Sequence, residues 1–409
     1  MVVMEPQAVV VAVTSEIDAM SFKNKSSDRS VNTTANLLLA SAMALPAYSQ
    51  AATMPEKESF SYRYSQYTED AADESKVVDG DLERFEINVH QFKLLKFIGE
   101  NSTLTVNALT ETLGGASPWG TQRGENGQAE LIMSGASISE SRNDISLAYT
   151  TYHEKRTDSI SAGVSVENDY QAVYFGADYE WSFNGKNTSL AIGGSISADE
   201  LTPSDALEYG RVEEESKQRI SIFFGLSQIL SPKSIASMSY SHSTASGFLS
   251  DPYKLGDTRP NKRSSHILSG KYRHFIDATD SALHLDYRFY QDNWEMQSNT
   301  FTVGWHQNVS DSIQIIPTVR YYSQSETYFY EPYATPLAEL EFYSSDYRLS
   351  PYGAISKKIK LRHQLNDWSY SISFERYEAD ADYAIDDIVL ENPALVSFNR
   401  MSVGFDYFF

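Results

Sequence analysis

The chain contains no cysteine. That excludes disulfides, thiolate metal sites and cysteine nucleophiles. It is also short of positive charge: 33 Lys and Arg stand against 55 Asp and Glu, a net charge of −22, which excludes nucleic acid as a partner. No apolar run approaches the roughly 20 residues that a membrane helix needs. What the chain has in abundance is aromatic: 27 Tyr and 20 Phe, a supply that suits strands and interfacial girdles better than helices.

The longest apolar run, Leu37 to Leu45, lies between Lys23, Lys25 and Arg29 on one side and Pro46-Ala47-Tyr48-Ser49-Gln50-Ala51 on the other. Basic flank, short apolar centre and small-residue exit make a secretory signal peptide over 20–51, with cleavage after Ala51. Residues 1–19 carry Glu5, Glu16 and Asp18 and fit no such signal. Met20 is the better start, and 1–19 read as a spurious extension. Residues 52–409 are then the exported protein.

From residue 57 onward, apolar and polar residues alternate in segments of 10–15 residues. Ile160, Ala162, Val164 and Val166 alternate with Ser161, Gly163 and Ser165. Ile220, Ile222, Phe224 and Leu226 follow the same rule, as do Leu283, Leu285, Tyr287 and Phe289. Period 2 means strands with one apolar face. Sixteen strands are expected, near 57–68, 83–97, 101–112, 142–153, 157–167, 170–182, 187–198, 216–230, 233–243, 263–275, 280–290, 297–309, 312–324, 346–361, 367–377 and 396–409. Each is long enough to cross a bilayer at a tilt.

The connections set the topology. With the N-terminus in the periplasm, every even-to-odd link is short and rich in turn residues, as at Gly99-Glu100-Asn101, Asn184-Gly185-Lys186 and Ser231-Pro232. Most odd-to-even links are long: 69–82, 113–141, 199–215, 244–262, 325–345 and 378–395. This asymmetry predicts an all-β fold, a transmembrane antiparallel up-and-down β-barrel of about 16 strands in the bacterial outer membrane. Strands in sandwiches average about 5–6 residues, and no blade-length repeat supports a propeller. The final segment, Met401 to Phe409, places apolar residues at 401, 403, 405, 407 and 409. It reads as the closing strand, with Phe409 as the signal that the barrel assembly machinery recognises.

Four stretches stand apart from generic barrel sequence: Met133 to Arg142; Ser246 to Lys254 with Arg259-Pro260 and Arg263; Tyr287 to Trp294; and Arg320 to Ser325 followed by Tyr328-Phe329-Tyr330. They resemble the bacterial family catalogued as domain of unknown function 3570, from about residue 57 to the C-terminus. The resemblance implies an outer-membrane barrel with no assigned activity and no catalytic residues to carry over. It also implies an association with envelope redox and flavin-transfer proteins.

Alternation places Asp286, Arg288, Arg320 and Glu375 on lumen faces. Two readings stand for them: a charged constriction that selects solutes, or a salt-bridged network that fills the lumen. The segment Asp251-Pro252-Tyr253-Lys254 is either a turn on the rim or a segment folded inward, with Pro252 pre-setting the turn. An esterase site is not expected: there is no Gly-x-Ser-x-Gly elbow, and the neighbours His242/Ser243 and Ser265/His266 point to opposite faces. His242, His266 and His284 could approach each other on neighbouring strands and bind metal, but a strand His more often hydrogen-bonds in the lumen, and no metal site is expected. No cofactor is expected. The acidic loops read as solvated surface or as cation-bridged contacts to lipopolysaccharide. The expected role is a channel or porin-like transporter among outer-membrane lipid and lipopolysaccharide. The alternative is a structural or docking barrel with a filled lumen that holds a periplasmic or surface partner.

Overall fold

A computed structural model describes residues 53–135, 138–204, 206–333 and 340–409. The signal and the 1–19 extension lie outside them. In chain order the strands are β1 (Ser59–Glu69), β2 (Val77–Asp79), β3 (Glu86–Phe97), β4 (Ser102–Gly115), β5 (Pro118–Arg123), β6 (Ala129–Met133), β7 (Ile138–Tyr152), β8 (Arg156–Val166), β9 (Tyr170–Phe183), β10 (Thr188–Leu201), β11 (Glu215–Ser231), β12 (Ser234–Gly247), β13 (Lys262–Ile276), β14 (Ser281–Asp292), β15 (Gln297–Asn308), β16 (Ile313–Gln324), β17 (Tyr352–Leu365), β18 (Trp368–Asp380) and β19 (Phe398–Phe408). Sixteen of them close into one barrel, each pairing antiparallel with its sequence neighbour. β19 closes it against β1, from Ser59↔Phe408 to Glu69↔Phe398. Closure satisfies the edges, which allows a chain of low mean hydropathy to sit in lipid with only alternate residues touching it.

The alternation read from sequence is the alternation of the wall. Ile160, Phe175, Ile220, Phe224, Phe301, Ile359 and Phe374 face outward and are exposed, whereas Ser159, Tyr174, Ser221, Phe223 and Glu375 on the same strands are buried. A continuous apolar outer belt of this size is a lipid-facing surface. It is a transmembrane barrel. At one end the links are tight. Asn184, Gly185 and Lys186 all have positive φ, as do Asp280 and Asn366, which is why Asn, Asp and Gly recur there. At the other end most of the links are long.

Much of the described part of the long links does not stand in solvent. β2, β5 and β6 form a separate three-stranded sheet, ordered β2-β6-β5, within the long links 69–82 and 113–141. It is tightly packed: Gly80, at φ 99° just after β2, has Met133 O of β6 only 2.2 Å from where a Cβ would sit, so only glycine fits. The expected strand at 346–361 is displaced. Tyr347–Leu349 is instead a single 3-10 turn capped by the Asp346 side chain, and β17 begins at Tyr352 after Pro351. The cap and the proline break the strand locally.

The core sits inside the long-loop half of the barrel. Inward residues Tyr67, Ile87, Val89, Leu109, Tyr322, Tyr352, Tyr377 and Phe398 pack in one cluster with loop residues Ala116, Leu131, Met133, Tyr347, Ala394 and Val396. A second cluster joins Ala245, Leu249, Trp294, Met296, Phe329, Tyr330 and Leu349. A third joins Tyr170, Ala172, Leu201 and Tyr253. Strand ends and loops therefore share buried apolar surface, and the loops form a plug.

Candidate functional site in the lumen

Charged groups lock the plug. Arg259 and Arg348 are buried among three carboxylates. Arg259 Nη2 donates to Asp346 at 2.8 Å and its Nε lies 2.8 Å from Asp257. Arg348 Nη2 donates to Asp251 at 2.7 Å, and its Nε donates to Asp346 at 2.9 Å. Burial alone would raise the Asp346 carboxyl, but Arg348, Lys254 and Arg259 around it hold it well below the usual carboxylate range. Burial raises Asp257 despite Arg259, and lowers Lys254 despite Asp346.

The segment Asp251-Pro252-Tyr253-Lys254 is thus both a turn and folded inward. Lys254 N donates to Asp251 O at 3.2 Å, while Lys254 Nζ reaches Pro118 O at 2.7 Å and the Tyr253 hydroxyl bonds Asp169. Other ties cross between loops. Arg84 pairs with buried Glu69 at 2.8 Å and donates to Ala394 O at 3.1 Å. Asn392 Nδ2 donates to the Tyr330 hydroxyl and to Ser345 O, both at 3.0 Å.

The four lumen candidates all lie on inward positions, but they do not pair as a set. Glu375 is taken by Arg400, at 2.5 Å, and by the Ser356 hydroxyl. Asp286 is taken by Arg273, at 2.5 Å. Arg320 has one hydrogen bond, Nε to Thr302 at 3.3 Å, and its Nη1 is buried without a partner. Arg273 and Arg400, which sequence reading did not single out, hold the carboxylates. Both sit at inward register positions, Arg273↔His284 and Glu375↔Arg400, so alternation alone was enough to find them.

Toward the short-turn end the inward wall from β13 through β19 to β3 carries Lys271, Arg273, Lys358, Lys360, Arg362, Arg63 and Lys93, and most of these are partly exposed to solvent. The opposite wall, β8 to β12, is largely Ser and Gly, with Asp178 and Glu180. The histidines do not assemble. His242 and His266 pair across strands, ring centroids 4.6 Å apart, on the outer face. His284 faces the lumen instead, stacked on His306 at 3.8 Å. The wall separates His284 from the other two, and no group of three metal-ligating residues occurs among the described residues.

The family described as Protein of unknown function (DUF3570) matches residues 31–395, and the chain belongs to it. The match begins before the expected cleavage point and ends before β19, so it is displaced at both ends from the 57-to-C-terminus resemblance. No curated protein matches the chain. Among solved structures, the chain is similar to the siderophore receptor PirA from Pseudomonas aeruginosa, at TM-score 0.45 and 9% identity over 86% of this chain and 62% of that one. It is similar to a bacterial polysaccharide outer membrane secretin, at 0.47 and 8% over 86% and 98%. It is also similar to a BenF-like porin from Pseudomonas fluorescens Pf-5, at 0.44 and 9% over 86% and 98%. The chain spans 62% and 54% of the length of the first two receptors it matches. The barrel itself rests on the closed strand order of this chain.

Proposed function

We propose that the protein is an outer-membrane barrel of the bacterial envelope, exported by the 20–51 signal, that stands closed toward the cell surface and opens its lumen to the periplasm. The long-loop end is the outer one in this reading, following the loop-length asymmetry of such barrels. The observation that carries it is the buried Arg259–Asp257–Asp346–Arg348–Asp251 network. Loops meant only to fringe a pore do not bury two guanidinium groups and three carboxylates among aromatic clusters, because desolvating them is costly unless all are paired. The filled-lumen alternative is therefore favoured for the outer half, with the periplasmic half left to meet a solute or partner. No catalytic machinery enters this reading.

A porin-like channel remains the second reading, and the Ser- and Gly-lined wall from β8 to β12 favours it, since small polar side chains leave room for solute. Single-channel recording in planar bilayers separates the two. Closure predicts no steady current through the native barrel and frequent openings in Arg348→Ala. A steady ohmic current through the native barrel overturns it.

A further inference from the structure

Just beneath the plug, the lumen wall holds two arginines that no carboxylate of the described residues hydrogen-bonds. Arg288 on β14 faces inward at the level of Tyr322, through the register Arg288↔Thr300 and Thr300↔Tyr322. Arg320 on β16 is one inward position lower, opposite Thr302 and Ser356. Arg288 makes no hydrogen bond or ion pair with any described residue, and Arg320 Nη1 is buried without an acceptor. Glu375 and Asp286 lie near Arg320 and favour its charge, but their hydrogen bonds go to Arg400 and Arg273, so neither satisfies its donors. A guanidinium left unpaired in a protein interior is costly, and such groups are met by a counter-ion or ordered water. The cost falls on Arg320 Nη1; Arg288, half-buried on the next strand but one, has donors free to face the same lumen space.

The spacing suits a shared ligand. Two strand intervals are about 10 Å and one inward step is about 7 Å, within reach of two arginine side chains leaning together. A guanidinium presents a planar fork that matches phosphate and carboxylate oxygens. Lys358 stands one inward position below Ser356 on β17. Thr300 and Thr302 lie between the arginines and add hydroxyls. A lone chloride uses few of these donors, whereas an oxyanion with several oxygens uses them together.

We propose that Arg288 and Arg320, with Thr302, form an oxyanion site at the floor of the plug, reached from the short-turn end, whose ligand is a phosphate-bearing molecule. The site deepens the periplasm-facing lumen described above. Its test uses binding in micelles rather than current, so each can fail without the other. The full barrel, purified in a phosphorus-free detergent, is titrated calorimetrically with inorganic pyrophosphate and, separately, with dihexanoyl phosphatidic acid. Heat-modifiable migration verifies folding of every sample.

The native barrel is expected to bind one equivalent. Arg288→Gln and Arg320→Gln are each expected to weaken binding by about tenfold, and the double variant to abolish it. Glu100→Gln, in a short turn far from the site, is expected to leave affinity unchanged. Binding of pyrophosphate identifies a free solute, while binding of the lipid alone identifies a headgroup. No binding of either probe to the native barrel overturns the proposal, as does undiminished binding by the folded double variant. Should the double variant fail to fold, Thr302→Val, which keeps both charges, takes its place. It is expected to weaken binding, and equal affinity overturns the proposal.

Discussion

The two halves of this lumen are built from the same alternating strands and behave differently. In the long-loop half the inward positions are Tyr67, Tyr322, Tyr352, Tyr377 and Phe398, all buried against loops. In the short-turn half they are Lys93, Lys271, Lys358 and Arg362, partly open to solvent. One sequence rule, apolar out and polar in, governs the outer face throughout. The inner face obeys it in only one half, because in the other the loops supply a second apolar surface to pack against. A filled lumen thus appears in sequence as aromatics at inward positions near the long-loop ends.

The sharpest way to break this contrast is to unlock the plug. Arg348→Ala leaves Asp346 and Asp251 buried without their main cation, a loss of about 3–5 kcal/mol for such pairs. The expected result is rapid proteolysis within 248–261 and 340–351 while the strands stay protease-resistant and heat-modifiable. Undiminished loop protection would mean that apolar packing alone holds the plug. Arg259→Ala removes a partner of the same Asp346 and is expected to act in the same direction.

Deleting Phe409 tests a different part of the account, the proposed assembly signal. Phe409 stacks on Tyr407 and lies under Lys96 Nζ at 5.0 Å. Its loss is expected to reduce folded barrel in membranes several-fold without changing the loop protection of the molecules that do fold. Equal yield would remove the assembly role.

Acidification gives a smaller effect with a defined sign. The Asp346 carboxyl is held low in the folded protein, so its contribution is present above the ordinary aspartate range and is lost only as pH falls through the depressed value. Asp257 is shifted the other way; its ionisation opposes folding at higher pH and that opposition is relieved as pH falls. The plug should therefore survive a drop from pH 7 to about 4, read as unchanged protease sensitivity of the 248–261 loop. Opening already at a pH well above 4 would show that Asp346 is not held low.

How much of this was legible beforehand follows from what each feature depends on. All sixteen wall strands show in the period-2 pattern, because lipid enforces it residue by residue. The tight turns show as Asn184-Gly185-Lys186 and Asp280, because positive φ restricts residue choice. A filled lumen and an inward-folded 251–254 segment stood only as alternatives, and the network that locks the plug did not show. Asp346 and Arg348 lie beside an alternating segment and were absorbed into a strand, although Asp346 as a cap and Pro351 were the available signs of a break. The partners of the lumen carboxylates did not show for a related reason. Alternation gives the face of Arg288, Arg320, Arg273 and Arg400 equally, but which of them meets Asp286 or Glu375 depends on side-chain reach across the register.

The central claim is that the lumen is shut from the long-loop side and open from the other. The native chain has no cysteine, so Ser239→Cys, at an inward position among Gly225 and Ser269 on neighbouring strands, gives a single reporter. Val389→Cys, fully exposed on a loop, and Glu100→Cys in a short turn calibrate the two sides. A membrane-impermeant maleimide applied to intact cells should label position 389 and leave 100 and 239 untouched, and all three should react once the outer membrane is opened. Labelling of Ser239→Cys in intact cells, at a rate near that of Val389→Cys, would contradict the claim.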